Sequence, residues 1–306
     1  MSLPPSGRQY QIRRGEQVIV VVEVGGGVRE YRVGERAVLD PYPLGTMCDG
    51  AHGTPLVPWP NRLADGRYRF DGVDYQVALT EPERGNAIHG LLRWRSWHVV
   101  REEPNRVTMG TRLHPLTGYP FLLDVEVDYL LDDDGLTVTT TATNRGERTC
   151  PYGAGQHPYL APGSGLIDDA VLTFAADTRI VTDPHRQLPT GTEPVAGGRF
   201  DFAGGRRLGD QRIDSAFTDL HRDEAGRAWV RLEGPDGRRA ELWVDGTYPV
   251  VELYTGDMLS PHRRRRGLGA EPMTCPPNAL QSGQGIRRLA PGEPATTRWG
   301  ARLGAG

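Results

Sequence analysis

Two histidines and two carboxylic acids stand in glycine- and proline-rich stretches, where a rigid backbone would hold them in place for proton transfer. His89 lies in GNAIHGLLRWRSW, and His157 lies in PYGAGQHPYLAPG. Asp214 lies between apolar neighbours in RIDSAFTDL, and Glu271 is followed by a proline in GLGAEPMTCPPNAL. An imidazole titrates near neutral pH and is the usual general acid, whereas a positioned carboxylate serves as a base. Together these residues indicate acid–base chemistry on a neutral polyol.

Residues near these four indicate how a ring-shaped polar ligand would be bound. Asn61 and Arg62 follow a Pro-Trp-Pro stretch, and the guanidinium of Arg62 offers a fork of donors to hydroxyls or to a carboxylate. A surface turn with a structural salt bridge is the alternative for this arginine. Trp94 could pack its indole on an apolar sugar face. Gly153 and Gly155, just before the second histidine, would let the backbone approach a ligand closely.

A run of four arginines, Arg263 to Arg266, precedes the stretch that holds the second carboxylate. A charge run of this kind is usually a solvated loop, which is the interpretation we favour from the sequence. The alternative is a clamp for a phosphate group, since guanidinium groups bind phosphate oxygens in pairs.

Composition and missing motifs exclude several classes of function. A net charge of -3 and a pI near 6.3 give no general affinity for nucleic acid or for an anionic membrane. Walker-type, G-x-G-x-x-G, G-x-S-x-G and H-E-x-x-H motifs are all missing, so we expect no cofactor and no metal. The three cysteines, Cys48, Cys150 and Cys275, are far apart and favour free thiols. The opening MSLPPSGRQYQIRR lacks an apolar stretch, and we expect a cytoplasmic protein.

The elements that must carry these residues are predicted to be strands. RYRFDGVDYQVAL places Asp71-Gly72 between two strand-like runs, and similar turns occur at Asp134-Gly135 and at Asp236-Gly237. The runs between turns are rich in valine, threonine and tyrosine, and ALQSGQGIRRLA is interrupted by glycines. No linker or repeat divides the chain. The sequence therefore predicts an all-β protein, a large antiparallel β-sandwich with few short helices, formed by residues 1–306 as a single domain.

Five blocks of the chain, taken together, resemble one known family. PWPNRLADGRYRFDGVDY, NAIHGLLRWRSW, GAGQHPYL, IDSAFTDL and GAEPMTCPPNAL occur in the order found in the aldose 1-epimerases, or mutarotases, of the galactose mutarotase-like fold. The resemblance covers nearly the whole chain. The last block departs from the best-known galactose enzymes, because Pro272 and Met273 follow the glutamate and Asn278 stands near the place of an aspartate. The identity of the sugar is therefore open.

The resemblance implies a β-supersandwich with an open sugar cleft and a role for each residue. Glu271 matches the general base and His157 the general acid that open and close the hemiacetal ring. His89 matches a histidine near the ring oxygen, and Asp214 matches a carboxylate that holds sugar hydroxyls. Arg62 matches an arginine that orders the pocket, with Asn61 beside it. Trp94 has no clear counterpart in the family, and we assign it separately as a stacking platform.

Three alternatives stay open at this point. A non-catalytic sugar sensor on the same fold would not need both Glu271 and His157. A glycoside hydrolase would use Asp214 and Glu271 as its two carboxylates, roughly 5–9.5 Å apart. A sugar-phosphate mutarotase would be supported if the arginine run lined the cleft. For the mutarotase we expect a small monosaccharide ligand, no nucleic acid or membrane partner, and a monomer or homodimer.

Overall fold

Strands account for most of the regular structure of this protein. The computed structural model describes residues 3–163 and 165–304. In chain order, the strands of the first half are β1 (Gln9–Arg14), β2 (Gln17–Val22), β3 (Val28–Val33), β4 (Arg36–Leu39), β5 (Pro55–Leu56), β6 (Arg62–Ala64), β7 (Arg67–Phe70), β8 (Val73–Gln76), β9 (Asn86–Ile88), β10 (His98–Glu103), β11 (Arg106–Leu113), β12 (Leu123–Asp132), β13 (Gly135–Asn144), β14 (Cys150–Tyr152), β15 (Gly155–Gln156) and β16 (Tyr159–Leu160).

The second half continues the pattern. Its strands are β17 (Val171–Phe174), β18 (Ala176–Thr182), β19 (Pro189–Pro194), β20 (Phe202–Arg207), β21 (Asp214–Leu220), β22 (Ala228–Glu233), β23 (Arg239–Val244), β24 (Val250–Tyr254), β25 (Leu268–Met273), β26 (Arg287–Leu289) and β27 (Pro294–Gly304). Within residues 3–163 and 165–304, the helices are two 3-10 turns, Pro82–Arg84 and Ile167–Asp169, and one four-residue α-helix, α1 (Ala279–Ser282). Over the described residues, no helix is long and apolar enough to cross a membrane.

Two large antiparallel sheets form the body of the molecule. The first has 12 strands, with a main path β1-β2-β3-β4-β16-β25-β24-β21-β18-β19, and β5 and β15 join it beside β25. The second has nine strands in the order β10-β11-β12-β13-β27-β23-β22-β17-β20. Three two-stranded sheets, β6-β9, β7-β8 and β14-β26, decorate them. The predicted all-β sandwich with few short helices is confirmed.

The predicted hairpins arise from local turn chemistry. Phe70 pairs with Val73 across a two-residue turn in which Asp71 has φ 48° and Gly72 has φ 79°. Positive φ at both central positions matches the right-handed twist of the flanking strands. In β12 the buried and less buried residues alternate along the strand, as a sheet with one face in the core requires.

The alternation along strands of the 12-stranded sheet separates a core face from an outer face. In β25, Leu268 and Ala270 belong to the large apolar core. Glu271 is the next residue along this strand after Ala270, so its side chain points to the opposite face. In β24, Leu253 likewise faces the core. The outer face is consequently free to carry polar side chains without breaking the core.

Candidate active site

A cavity on the outer face of the 12-stranded sheet gathers most of the predicted site residues. Its volume is about 500 Å³. Six of the seven predicted residues line it, and they are Asn61, Arg62, His89, His157, Asp214 and Glu271. A wider cavity of about 630 Å³ lies elsewhere, among Asp133, Arg238 and Arg302, and contains no histidine in its described lining. The smaller cavity therefore brings together the residues for which the sequence predicts acid–base chemistry.

Several strands bring these side chains together from distant parts of the chain. Glu271 lies in β25, and Asp214 opens β21, on the far side of β24. Arg62 pairs with Ile88 in the small β6-β9 sheet, so that His89 follows directly at the same edge of the cavity. His157 follows β15, and its amide donates to the carbonyl of Thr54. The large sheet thus supplies the floor of the cavity, and the β6-β9 sheet supplies one wall.

His157 and Glu271 form the central contact of the site. Nε2 of His157 lies 3.1 Å from Oε1 of Glu271, and the two side chains are 5% and 3% exposed. Burial lowers the pKa of His157, and nearby His52 lowers it further. Burial raises the pKa of Glu271, and the charge of Asp214 adds to this increase. Burial thus opposes both the imidazolium and the carboxylate, so the two side chains together hold one proton at this contact.

His89 lies against the same pair and is kept uncharged. Its ring centre is 5.2 Å from that of His157, with the rings nearly perpendicular. Burial lowers its pKa well below the usual value, and the neighbouring His157, Arg93 and Arg62 lower it further. A neutral imidazole offers one donor and one acceptor, which suits a sugar hydroxyl or a ring oxygen.

Arg62 combines the two roles considered for it. Its Nε and Nη2 donate to the carboxylate of Glu81 at 3.0 and 3.1 Å, while Nη2 also lies 4.0 Å from Oδ2 of Asp214. Burial alone would lower the pKa of Arg62, but the charges of Asp214 and Glu81 raise it overall. Arg62 therefore forms a structural salt bridge with Glu81, and this salt bridge orients the guanidinium toward Asp214 in the cavity.

Several residues of the site were not predicted from the sequence. Glu81 anchors Arg62, and Glu252 accepts a hydrogen bond of 3.3 Å from Nδ2 of Asn61. Tyr159 and Tyr254 add aromatic surface to the cavity. Tyr159 could have been found, because it stands two residues after a candidate histidine in an extended segment and so shares its face. For the two glutamates the sequence offers no comparable signal.

The structure places Trp94 outside the cavity, which corrects the stacking role predicted for it. Its side chain is 53% exposed, and the guanidinium carbon of Arg93 lies 5.2 Å from its ring centre. Arg93, not the tryptophan, reaches the cavity lining. Trp97 from the same stretch is buried in the core, because the pairing of the following strand turns it inward.

The glycines before His157 approach protein atoms, which corrects the expectation that they approach a ligand. A Cβ on Gly155 would lie 2.8 Å from both Cβ of Pro60 and the carbonyl oxygen of Pro272. A Cβ on Gly153 would lie 2.7 Å from Sγ of Cys275. These glycines allow β15 to pack tightly beside the strand that carries the glutamate.

The arginine run is neither a solvated loop throughout nor part of the cavity lining. Arg263 is buried, and its Nη2 donates to Oδ2 of Asp40 at 2.7 Å. Arg265 pairs with Asp168 at 2.6 Å and with Asp257 at 3.1 Å. Acidic residues brought near by the fold neutralise both arginines, so the prediction of a solvated loop was wrong for them. The condition set for a phosphate clamp, a run that lines the cleft, is not met.

His89, His157 and Glu271 are also the residues that could hold a metal ion. One ligand atom from each lies within 4.8 Å of the others. Ligand atoms around tetrahedral zinc are about 3.3 Å apart, as follows from Zn–N distances of about 2.0 Å. The separation of 3.1 Å between His157 and Glu271 is close to this spacing, and the same contact also suits proton transfer.

Comparisons with known proteins give the family and the fold of this chain. The family model described as aldose 1-epimerase matches residues 8–299. The uncharacterized protein YihR of Escherichia coli K12 is 32% identical over 290 residues, which cover 94% of this chain and 91% of that protein. The aldose 1-epimerase of the same organism is 26% identical over 269 residues, covering 79% of this chain and 76% of that protein.

A solved structure is similar over the whole fold. The crystal structure of a GalM/aldose epimerase homologue from C. elegans has a TM-score of 0.85 at 18% identity, and the match covers 98% of this chain and 99% of that one. The extent of the family match, together with this architecture, establishes that the chain belongs to the aldose 1-epimerase family and has the galactose mutarotase-like fold.

Proposed function

We propose that this protein is an aldose 1-epimerase that interconverts the α and β anomers of a free glucose- or galactose-like aldose. The observation that carries the proposal is the contact of 3.1 Å between Nε2 of His157 and Oε1 of Glu271 at a polar cavity. Membership of the aldose 1-epimerase family supports it. The ligand is then a small monosaccharide.

The proposed reaction needs two proton transfers and no covalent bond to the protein. In the reactive form the proton held by the pair is on Nε2 of His157, so that Glu271 takes the proton of the C1 hydroxyl while the bond between C1 and the ring oxygen breaks, and His157 protonates that ring oxygen. The open aldehyde rotates about the bond between C1 and C2. His157 then removes the proton from the hydroxyl that attacks C1, and Glu271 returns its proton to the carbonyl oxygen. Each positioned transfer contributes roughly 10²–10⁴-fold.

The remaining residues of the cavity bind and orient the sugar in this proposal. Asp214, whose position Arg62 supports, accepts hydrogen bonds from sugar hydroxyls, and Asn61 lies beside them. His89 stays neutral and contacts the sugar near its ring oxygen. Tyr254 offers an apolar surface to the C–H face, which is the task the sequence assigned to a tryptophan.

The other functions considered have weaker support. A sugar sensor would need no buried pair of acid and base, yet His157 and Glu271 are in contact. A glycoside hydrolase that uses Asp214 and Glu271 would leave His157 without a task. A sugar-phosphate mutarotase loses its argument, because Arg263 and Arg265 are paired with acidic residues and neither of them lines the cavity.

Anomer exchange tests the proposal directly. The purified protein is added to freshly dissolved α-D-glucose, α-D-galactose and several other aldoses, and the approach to the α/β equilibrium is followed by NMR or polarimetry. Acceleration that disappears in Glu271→Gln supports the proposal. No acceleration with any free aldose, in the presence of measurable sugar binding, contradicts it and favours the sensor.

A further inference from the structure

Glu252 is a buried carboxyl group that the proposed reaction does not use. It lies in the middle of β24 and is 3% exposed. Its position in the sheet is directly opposite Glu271 on one side and Ala216 on the other, with Asp214 two residues further along β21. Side chains directly opposite on antiparallel strands share a face and lie close together, and like charges there repel each other.

The surroundings of Glu252 provide little support for a negative charge. Nδ2 of Asn61, a neutral donor, lies 3.3 Å from its Oε2. Nε and Nη2 of Arg62 donate hydrogen bonds to the carboxylate of Glu81 at 3.0 and 3.1 Å. Nη2 also lies 4.0 Å from Oδ2 of Asp214. In the part of the chain that the structure describes, no arginine or histidine lies within 4.0 Å of the carboxyl oxygens of Glu252. A buried carboxyl without a paired cation takes up a proton instead of carrying charge.

A hydrogen bond between Glu252 and its neighbour Asp214 needs a proton on one of them. Asp214 lies on the same face of the sheet, two residues along β21 from Ala216, the partner of Glu252, and two carboxyl groups this close can share a hydrogen bond only if one of them is protonated. Oδ2 of Asp214 lies 4.0 Å from Nη2 of Arg62 and its side chain is 25% exposed, whereas Glu252 is 3% exposed, so burial favours the proton on Glu252. Burial and the charges of Asp214 and Glu271 raise the pKa of Glu252 well above its usual value, against the opposing effect of Arg62.

We propose that Glu252 is a carboxylic acid at neutral pH, and that it is a positioning residue whose hydroxyl donates to Asp214 and holds that carboxylate toward the sugar. Its carbonyl oxygen accepts the hydrogen bond from Asn61, so both polar ends of the acid are satisfied. The part of the proposal that concerns the sugar rests on the proposed function. The part that concerns the proton does not.

Two substitutions of similar size distinguish the effect of a hydrogen-bond donor at position 252 from the effect of a negative charge there. Glu252→Gln keeps a neutral donor, so kcat/KM should stay within about threefold and both limbs of the pH profile should keep their positions. Glu252→Met removes the donor, so KM should rise about tenfold while kcat changes less than about threefold, since one hydrogen bond to a charged group is lost. An unchanged KM in Glu252→Met would refute the positioning role.

The pH profile and infrared spectrum decide where the proton is. If Glu252 were ionised, Glu252→Gln would remove a negative charge opposite Glu271, and the acidic limb would move to lower pH. That movement would overturn the proposal. The infrared difference between wild type and Glu252→Gln at pH 7 should contain the carbonyl band of a protonated carboxyl, and its absence would also overturn it. The band needs no turnover, so a protein with the band but without mutarotation retains this proton and loses the proposed function.

Discussion

Because His157 and Glu271 are in direct contact, we expect that replacing either one removes the catalytic contribution of both. Their nearest atoms are 3.1 Å apart, and burial opposes the charged form of each. In Glu271→Gln, His157 loses the carboxylate beside it and stays neutral, so the acid is lost with the base. In His157→Asn, Glu271 loses the imidazole that can take up its proton and stays a neutral carboxylic acid.

The size of the expected loss follows from these two contributions. Each positioned proton transfer contributes roughly 10²–10⁴-fold, so the loss of both amounts to about 10⁴–10⁸-fold in kcat/KM. At about 1.36 kcal/mol for each factor of ten, this corresponds to about 5–11 kcal/mol of transition-state stabilisation. The double variant should then be no more than about tenfold below either single variant, because each single variant has already lost both groups.

Polarimetry of fresh α-D-glucose or α-D-galactose, with spontaneous mutarotation subtracted, measures these values. Circular dichroism and a denaturant titration would check that each variant is folded. In His157→Asn, activity should rise with pH, since the pKa of Glu271 is raised and the carboxylate forms only above it. Losses in the double variant equal to the product of the single losses would refute the reasoning, as would a flat pH response of His157→Asn.

Three further predictions concern the corrections made above. Arg263→Met should lower the free energy of unfolding by about 3–5 kcal/mol in a denaturant titration, because it leaves the buried carboxylate of Asp40 without its cation. Trp94→Ala should change kcat/KM by less than about twofold in the polarimetric assay, since its side chain is 53% exposed and outside the cavity; a larger loss would restore its binding role. Gly155→Ala should lower stability by about 1–3 kcal/mol and reduce turnover, because its Cβ would lie 2.8 Å from Pro60; an unchanged melting temperature would contradict this.

Local patterns were sufficient to predict the fold class and most of the members of the site. Alternation of residue types and Asp-Gly turns predicted strands and hairpins, since both depend on neighbouring residues alone. The types and rigid surroundings of His157 and Glu271 indicated acid–base chemistry. That the chain forms one domain, that it is cytoplasmic, and that the site residues act as assigned remain predictions.

What only the tertiary structure decided is which charges meet. Arg62 and Glu81 are 19 residues apart in the sequence, and Arg263 and Asp40 are 223 residues apart. No local sequence pattern predicts either ion pair. The pairing of β24 with β25 sets Glu252 opposite Glu271, and burial then decides which carboxyl group carries a proton. The sequence by itself determined which groups are present and which local structure carries them. Their charge, partners and access to a ligand depend on the surrounding dielectric and on distance, which exist only once the two sheets have packed.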